Sequence, residues 1–296
     1  MAEDPRIVSL LVGSLLGPLG YSEEVALLIV NCDDLGMCDA ANAAVVRSLR
    51  EGLATTATLM VPCPKAEEAA RLTQGLDIGV HLTLTAEWES YRWGPITGGR
   101  SLVDAHGFLP RTSEEVWERA DPSEVRQECY AQVEQALEWG VDVTHVDSHM
   151  GTVQVNPGLF EIYLDTAARF DVPMRLSGPR TESILGFPFR QMAQEKGVVF
   201  TDDFVFVPGV GSRQPILDMV PRLPHGVTEA YLHPAEAGEE IRSIAPDWPS
   251  RTEDAALLVR GSALDRALEA HDVELIGYRP LRDLMRARGA EERWRG

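Results

Sequence analysis

The stretch LLIVNCDDLGMCD, residues 27–39, joins an apolar run to two adjacent carboxylates. A run of Leu, Ile and Val is typical of a strand that is buried on both faces of a parallel sheet. Asp33 and Asp34 end this run, and Gly36 follows soon after. Adjacent residues on a strand face opposite sides, so both carboxylates can enter one pocket only where the chain is already leaving the strand. The structural alternative is that the pair forms a turn or caps a helix.

Short apolar segments alternate with helix-like segments from residue 26 onward. The predicted strands are ALLIVNC (26–32), TTATLMV (55–61), DIGVHLTL (77–84), VDVTHVDSH (141–149), VPMRLS (172–177), VVFTDDFVFV (198–207), TEAYLHP (228–234) and VELIGY (273–278). The clearest predicted helices are 39–52, 122–140 and 254–271. This alternation predicts βα units, and about seven or eight mostly parallel strands favour a distorted (β/α) barrel over an open sheet.

The domain organisation is predicted to be simple. Residues 26–296 contain no low-complexity linker, short repeat or shift in composition, which indicates a single domain. Residues 1–25 are interpreted as an N-terminal extension, because their apolar run is too short and too interrupted by glycine to span a bilayer and follows acidic rather than basic residues. An irregular insertion is predicted at about residues 85–121, which lack periodicity and are rich in Trp, Gly and charge; such insertions are usually functional loops.

Composition and charge limit the classes of partner. Hydrophobic residues make up 44% of the chain and charged residues 25%, as in ordinary globular proteins. The formal net charge of -19 opposes binding to nucleic acid or to an anionic membrane. Cys32, Cys38, Cys63 and Cys129 show neither CxxC spacing nor disulfide density, which predicts reduced thiols in a cytoplasmic protein. Metal ligation by Cys32 and Cys38 is the less favoured interpretation, since free cysteines usually pack as small buried residues.

Candidate metal ligands fall at the ends of the predicted strands. His81 lies in GVHLTL, Asp147 and His149 end THVDSH, and His233 ends AYLHP. The ends of parallel barrel strands meet on one rim, so these side chains and the Asp pair are expected to share a pocket. Imidazole and carboxylate ligands suit a divalent transition metal, and three ligands leave room for a water that a nearby Asp can deprotonate.

Each of these histidines also has a purely structural interpretation. A strand residue such as His81 is often a hydrogen-bonded core residue, and His233 before Pro234 can simply end a strand. Spacing of two places His145, with Asp147 and His149, on one face of the strand, yet His145 can be a buried supporting residue. The convergence of four strand ends favours the functional interpretation.

The motifs that carry these residues resemble the YdjC-like carbohydrate deacetylases, which include chito-oligosaccharide deacetylases and hopanoid-associated homologues. They are LLIVNCDDLGM, IGVHLTL, THVDSHMG, MRLSG, EAYLHPAE and SRTEDAALL, in this order over about residues 26–280. The resemblance implies a distorted barrel of the NodB-like or YdjC-like type. It also implies an enzyme that uses one divalent metal ion to remove an acetyl group from an N-acetylated amino sugar or glycoconjugate.

The resemblance further implies a role for each motif residue. The implied metal ligands are Asp34, His81 and His149. Asp33 falls in the place of the general base, His233 is similar to the residue that protonates the leaving amine, and Arg175 matches an arginine that steadies the base. Two segments depart from the family pattern: NADD is NCDD here, and Met150–Val153 replace a His-rich run after DSH. The second departure affects the identity of the substrate more than the type of reaction.

The sequence leaves alternatives open for the metal, the substrate and the reaction class. Two His and one Asp favour Zn²⁺, with Co²⁺ or Ni²⁺ as alternatives, and the resemblance also admits Mg²⁺. The expected substrate is a small molecule or an oligosaccharide; Trp88, Tyr91 and Trp93 either stack on sugar faces or pack a loop. A homodimer is an open possibility. The alternative functions are a barrel phosphoesterase or isomerase, which the scarcity of Lys and Arg near the ligand strands disfavours for phosphoesters, and an inactive sugar-binding protein.

Overall fold

Seven parallel strands form one curled sheet in the computed structural model, which describes residues 14–205 and 213–295. The strands are β1 Ala26–Leu35, β2 Thr56–Leu59, β3 Ile78–Leu82, β4 Val143–Ser148, β5 Asp203–Val205, β6 Gly226–Leu232 and β7 Glu274–Leu275. Their order is β4-β3-β2-β1-β6-β5, and β7 pairs with β1. β1 is the central strand, because β6 pairs with residues 26–32, β2 with residues 31–35 and β7 with residues 27–28.

Helices follow most of the strands and surround the sheet. They are α1 Leu16–Leu19, α2 Asp39–Glu51, α3 Ala66–Leu72, α4 Ser113–Arg119, α5 Pro122–Glu138, α6 Pro157–Phe170, α7 Pro179–Leu185, α8 Phe189–Glu195, α9 Arg213–Met219, α10 Glu239–Ile244, α11 Trp248–Leu257, α12 Ala263–Ala270 and α13 Arg279–Arg295. Asp121 and Asn156 cap α5 and α6 with side-chain oxygens, and each is followed by a proline at the first helical position. None of the helices in the described residues is long and apolar enough to cross a membrane.

The predicted fold class, a distorted (β/α) barrel of mostly parallel strands, is confirmed, and the barrel is open between β4 and β5. The segment VPMRLS, predicted as a strand, lies in this gap. It contributes only the isolated bridge between Val146 and Met174, and the Met174 amide donates to the Val199 carbonyl at 3.0 Å. Pro173 has no N–H to donate, which limits the regular ladder here.

Other segments differ in detail from the sequence prediction. The helix predicted over 254–271 is two helices, because Gly261 adopts a left-handed φ of 78° and Ser262 caps a new start at Ala263. The stretch 85–121, predicted as an irregular insertion, is irregular as far as residue 112 but contains the short helix α4 Ser113–Arg119. Residues 1–13 of the predicted extension and residues 206–207 of a predicted strand lie outside the described residues.

Candidate active site

β1 continues through the Asp pair instead of ending before it, and a bulge brings both carboxylates to one cleft. The pairing of β1 with β2 shifts register between Cys32 and Leu35, and Asp34 has a left-handed φ of 64°. Aspartate is one of the few residues with a side chain that tolerates this conformation, and such bulges re-aim side chains at sheet ends. As a result, His81 Nε2 lies 4.0 Å from Asp33 Oδ2 and 3.6 Å from Asp34 Oδ1.

Gly36 allows the chain to turn directly after the pair. It has a φ of 94°, and a Cβ there would lie 2.9 Å from the Ala66 Cα atom. A larger residue would therefore be strained and would push α3 away from the end of β1. The glycine after the Asp pair is thus required by local geometry.

Asp34, His81 and His149 direct three possible ligand atoms toward one point. Asp34 Oδ1 lies 3.6 Å from His81 Nε2 and 3.5 Å from His149 Nδ1, and these two nitrogens are 3.2 Å apart. All three side chains are buried, and Asp34 Oδ1 has no hydrogen-bond donor among the described residues. A buried carboxylate oxygen without a donor is costly unless a cation balances it. The three residues therefore fit a metal ion and could hold one.

Asp147 supports His81 from the opposite side. Its Oδ1 accepts a 2.6 Å hydrogen bond from His81 Nδ1, so that Nε2 faces the possible metal position. Its Oδ2 accepts from Thr58 at 2.9 Å and lies 2.8 Å from an Arg175 nitrogen. Asp33, His81 and Asp147 form a second close group of ligand atoms, but the atoms of Asp147 already have these partners.

Arg175 holds Asp33 in a bidentate ion pair. The two terminal nitrogens of Arg175 each donate to one oxygen of Asp33 at 2.8 Å, and Asn31 donates to the same carboxylate at 2.6 Å. Burial opposes ionisation of Asp33, but the charge and hydrogen bonds of Arg175 outweigh it and hold the pKa of Asp33 well below its usual range. His233 lies just after β6, with Nε2 4.0 Å from Asp33 Oδ2 and a side chain that is 30% exposed.

Glu229 and Tyr278, which the sequence prediction missed, complete the surroundings of Arg175. The Arg175 Nε donates to Glu229 at 2.7 Å, and the Tyr278 hydroxyl donates to the same carboxylate at 2.5 Å. Burial raises the pKa of Glu229 to about 7, against the opposing charge of Arg175. The available signal was a glutamate in the middle of the apolar strand VTEAYL, since an acidic residue is rarely buried there without a partner.

Arg251 was also missed as a site residue. It lies on α11 and donates from Nη1 to Asp34 Oδ2 at 2.8 Å and from Nε to Asp247 at 3.0 Å. Burial opposes ionisation of Asp34 too, but Arg251 is the main influence that lowers its pKa well below the usual range. The only sequence signal was the position of Arg251 in the motif SRTEDAALL.

His149 begins a short 3₁₀ turn directly after β4. Its Nε2 lies 3.0 Å from Glu87 Oε2, on the irregular chain after β3, so that Nδ1 faces Asp34. The next residue, Met150, has a φ of 52° and is 48% exposed at the cleft. Within Met150–Val153, Met150 therefore contacts solvent, whereas Val153 is buried.

His145 has a supporting position in the barrel interior. Its ring stacks on Tyr278 with centroids 3.8 Å apart, and burial keeps the pKa of His145 well below its usual value. A Cβ at Gly79 would lie 2.5 Å from this ring, so the neighbouring strand leaves space for it. His145 lies outside the group of possible metal ligands, in agreement with the structural interpretation of the spacing.

The aromatic residues of the irregular loop pack within the protein. The Trp93 indole donates to the Thr85 carbonyl at 2.9 Å, the Tyr91 hydroxyl donates to the Met37 carbonyl at 2.7 Å, and Trp88 is buried. These contacts favour loop packing over sugar stacking. In the part of the chain that the structure describes, the Phe, Tyr and Trp residues that line the cleft are instead Phe204 and Tyr231, whose rings lie 5.5 Å apart and nearly parallel.

The four cysteines are free and buried, and none belongs to a possible metal-binding group in the described part of the chain. Burial is the main cause that raises the pKa of each thiol, so thiolate formation is disfavoured. Thiolate ligation, the less favoured interpretation of Cys32 and Cys38, therefore finds no support.

A cleft of about 480 Å³ lies at the carboxyl ends of the strands. Six of its lining residues are the ones predicted from the sequence: Asp33, Asp34, His81, His149, Arg175 and His233. The fold and the cleft together define an α/β protein with a potential metal centre beside an Asp, Arg and His group. A family model described as YdjC-like protein matches residues 27–269, and the chain belongs to this family.

Three relatives with similar sequences are named carbohydrate deacetylase. The chain is 35% identical to a carbohydrate deacetylase of Thermus thermophilus over 241 residues, which cover 77% of this chain and 84% of that protein. It is 31% identical to a carbohydrate deacetylase of Geobacillus stearothermophilus, over 85% of this chain and 96% of that protein. It is 30% identical to a carbohydrate deacetylase of Vibrio cholerae, over 86% of this chain and 96% of that protein.

A solved structure shares the fold. This crystal structure, of a protein from Enterococcus faecalis V583 provisionally described as a cellobiose-phosphate cleavage protein, superposes with a TM-score of 0.75 and 25% sequence identity. The match covers 87% of this chain and 99% of that one.

Proposed function

We propose that this protein is a metal-dependent carbohydrate deacetylase, which hydrolyses the amide bond of an N-acetylated amino sugar or glycoconjugate. One observation carries the proposal: the buried Asp34 Oδ1, without a donor among the described residues, faces ring nitrogens of His81 and His149 at 3.6 and 3.5 Å. Asp33 and His233 line the same cleft. The carbohydrate deacetylases among the relatives support the reaction class.

The ligand atoms favour a particular group of metals. Two imidazoles and one carboxylate suit Zn²⁺, Co²⁺ or Ni²⁺, whereas Mg²⁺ favours all-oxygen shells that retain several waters. We therefore propose Zn²⁺, held by Asp34, His81 and His149, with Co²⁺, Ni²⁺ and Mg²⁺ as alternatives. When bound, a divalent ion supplies Lewis-acid polarisation of the acetyl carbonyl and lowers the pKa of the attacking water.

Asp33 is proposed as the general base that accepts the proton of the attacking water. Its Oδ2 lies 4.0 Å from both His81 Nε2 and His233 Nε2, between the metal-binding group and the partly exposed imidazole. The bidentate pair with Arg175 fixes the plane of the carboxylate and keeps it ionised. A carboxylate with a low pKa is a weak base, so a water that is already acidified is the partner it requires.

His233 is proposed to protonate the nitrogen of the departing amine. Its backbone amide donates to Asp254 at 2.9 Å, and its ring edge packs against Tyr231 at a centroid distance of 5.4 Å. These contacts hold a side chain that is 30% exposed and that lines the same cleft as the buried Asp33. A proton donor on the substrate side of the base completes the general acid–base pair that amide hydrolysis requires.

The electrostatics of the cleft favour an amide over a phosphoester as substrate. Among the described residues, the arginines that line the cleft are Arg175 and Arg251, and both are paired with buried carboxylates. Neither guanidinium is therefore available to bind a phosphate group. Retention of the potential ligands, base and acid in one cleft argues against an inactive sugar-binding protein.

The decisive experiment is a comparison of acetate and phosphate release. The purified chain would be stripped with a chelator, reloaded with Zn²⁺, Co²⁺, Ni²⁺ or Mg²⁺, and assayed on N-acetylglucosamine oligomers, N-acetylated glycolipid head groups and N-acetylated aminoglycoside-like compounds. We expect acetate release that is lost with the metal and restored by it. Phosphate release from phosphorylated sugars without acetate release, or no stoichiometric metal binding, would overturn the proposal.

The cellular setting is a separate proposal. Four free and buried cysteines suit a reducing compartment, and we propose a cytoplasmic location. The proposed partner is a carbohydrate substrate, and the net charge of -19 disfavours nucleic acid and anionic membranes. A homodimer stays a hypothesis, which sedimentation of the purified chain would test.

A further inference from the structure

The irregular chain after β3 is held firmly at the residues that contact the possible metal ligands. The Ala86 amide donates to the Pro110 carbonyl at 2.7 Å, so that the two ends of the loop meet. Arg92 and Arg111 donate through Nε to the carbonyls of Ala86 and Glu87, each at 3.2 Å. The backbone at Ala86 and Glu87 is therefore fixed by side chains from the rest of the same loop.

Two consecutive side chains at this fixed point act on two different ligands. Glu87 Oε2 lies 3.0 Å from His149 Nε2. The Trp88 ring lies beneath the guanidinium of Arg251 at 5.5 Å, and Arg251 donates to Asp34 Oδ2 at 2.8 Å. Glu87 therefore contacts His149 directly, and Trp88 contacts Asp34 indirectly through Arg251.

The contact with Glu87 repeats the arrangement at the other imidazole. Asp147 engages His81 through Nδ1 and leaves Nε2 toward the ligand group, whereas Glu87 engages His149 through Nε2 and leaves Nδ1 toward it. Carboxylates in this position fix the orientation of metal-binding imidazoles. Asp147 belongs to strand β4, but Glu87 belongs to the loop, so one of the two supports depends on the loop's conformation.

Trp88 packs against the arginine that occupies one oxygen of Asp34. Arg251 occupies Oδ2 and leaves Oδ1 facing the two imidazoles. A buried indole face beneath the guanidinium stabilises the cation at this position. Displacement of Trp88 would remove this aromatic face and leave Arg251 held by its ion pairs with Asp34 and Asp247 alone.

We propose that Glu87 and Trp88 are positioning residues of the metal centre, and that the loop after β3 sets the affinity of this centre for its ion. Glu87 orients His149, and Trp88 orients Arg251 and thereby Asp34. The inference rests on the proposed function in one respect, that Asp34, His81 and His149 bind a metal. It does not depend on which acetylated substrate is hydrolysed.

The test measures metal affinity in the full-length chain. The dissociation constant for Zn²⁺ would be determined by competition with a chromogenic chelator for Glu87→Ala and for the matched control Glu89→Ala, two residues further along the loop and exposed. We expect affinity to fall about 10- to 100-fold in Glu87→Ala and to stay within about two-fold in the control. Glu87→Gln keeps an acceptor oxygen and should fall between them.

The second arm tests Trp88 with a conservative pair. Trp88→Leu should weaken Zn²⁺ binding about two- to ten-fold, and Trp88→Phe, which keeps an aromatic face, should recover most of the loss. The visible spectrum of the Co²⁺-loaded chain should change in Glu87→Ala and Trp88→Leu but not in Glu89→Ala. This spectrum reports ligand geometry, which a general loss of stability would not alter in the folded fraction.

The outcomes separate this inference from the proposed function. Zn²⁺ affinities of Glu87→Ala and Glu87→Gln within about two-fold of the unmodified chain would overturn it, whatever the enzymatic activity. Weakened binding in these variants, with no acetate release by the unmodified chain, would support the positioning role and overturn the deacetylase proposal. An unmodified chain that binds no metal would overturn both.

Discussion

Arg251 donates a 2.8 Å hydrogen bond to Oδ2 of Asp34 and leaves Oδ1 of the same carboxylate directed at two imidazoles. The two residues lie on α11 and at the end of β1, 217 positions apart in the sequence. Each side chain is at least nine-tenths buried, so their charges are balanced mainly by each other.

We predict that Arg251→Gln destabilises the metal-free protein by about 3 kcal/mol, because it leaves the buried Asp34 charge without its cation. Bound Zn²⁺ should reduce this loss, since the ion supplies positive charge at the same carboxylate. Urea denaturation with and without Zn²⁺ measures both values. Arg260→Gln, which removes an exposed pair with Asp265, is the control and should cost less than about 1 kcal/mol. Equal effects of the two substitutions would contradict the prediction.

The adjacent aspartates are predicted to give different defects. Asp33→Asn should retain stoichiometric metal but lose about 10²- to 10⁴-fold in kcat, the usual contribution of a positioned general base. Asp34→Ala should lose the metal itself, because it removes one of the three proposed ligands. Metal analysis and kcat on the same preparations distinguish the two effects. Full activity of Asp33→Asn would exclude it as the base.

Glu229 is predicted to make stability depend on pH. Burial raises its pKa to about 7 in the folded chain, above about 4.3 when unfolded. The neutral form of Glu229 therefore contributes to the free energy of unfolding, and this contribution is fully present below about pH 4.3. It is lost as the pH rises to about 7, at no more than about 1.4 kcal/mol per pH unit. Glu229→Gln should remove this dependence, so its stability difference from the unmodified chain should change between pH 5 and pH 7.

Denaturation of both chains across this range would measure the difference, with metal absent throughout. Glu134→Gln, which alters a half-exposed pair with Arg169, provides the comparison. A constant difference between Glu229→Gln and the unmodified chain would show that Glu229 does not bind the additional proton.

Gly79 is predicted to be required for packing against His145. A Cβ at this position would lie 2.5 Å from the imidazole ring, which is itself stacked on Tyr278. Gly79→Ala should therefore destabilise the chain by about 1–3 kcal/mol. Gly98→Ala is a matched control, since nothing lies within 4 Å of its added Cβ. Gly79→Ala should have the lower melting temperature of the two variants. A similar Tm for both would refute the packing argument.

Residues at strand ends were predictable from the sequence because a parallel barrel brings such ends together. This rule predicts that Asp33, Asp34, His81, His149 and His233 share one cleft, and all five line it. It did not explain how two adjacent carboxylates could share that cleft. The left-handed conformation of Asp34 inside a paired strand does so, and the alternation of side chains along a strand gives no indication of it.

The supporting residues were harder to predict because they lie outside the periodic segments or inside apolar ones. Glu87 belongs to a loop without periodicity. Arg251 lies on helix α11, which is distant from the strand ends in the sequence although it contacts one of them in the structure. Both act through contacts between segments that are distant in sequence. VPMRLS shows the opposite error, in which a predicted strand does not form. Its composition is strand-like, but Pro173 and the open edge of the sheet leave only one bridge.

The guanidinium of Arg175 contacts both the proposed base and the carboxylate that supports a proposed metal ligand. Arg175 contacts Asp33, the proposed base, and Asp147, which orients the ligand His81. A displacement of Arg175 would therefore disturb both carboxylates at once, so the proposed proton transfer and the proposed metal binding depend on the same side chain. Substitutions at Arg175 should therefore lower turnover and metal affinity together.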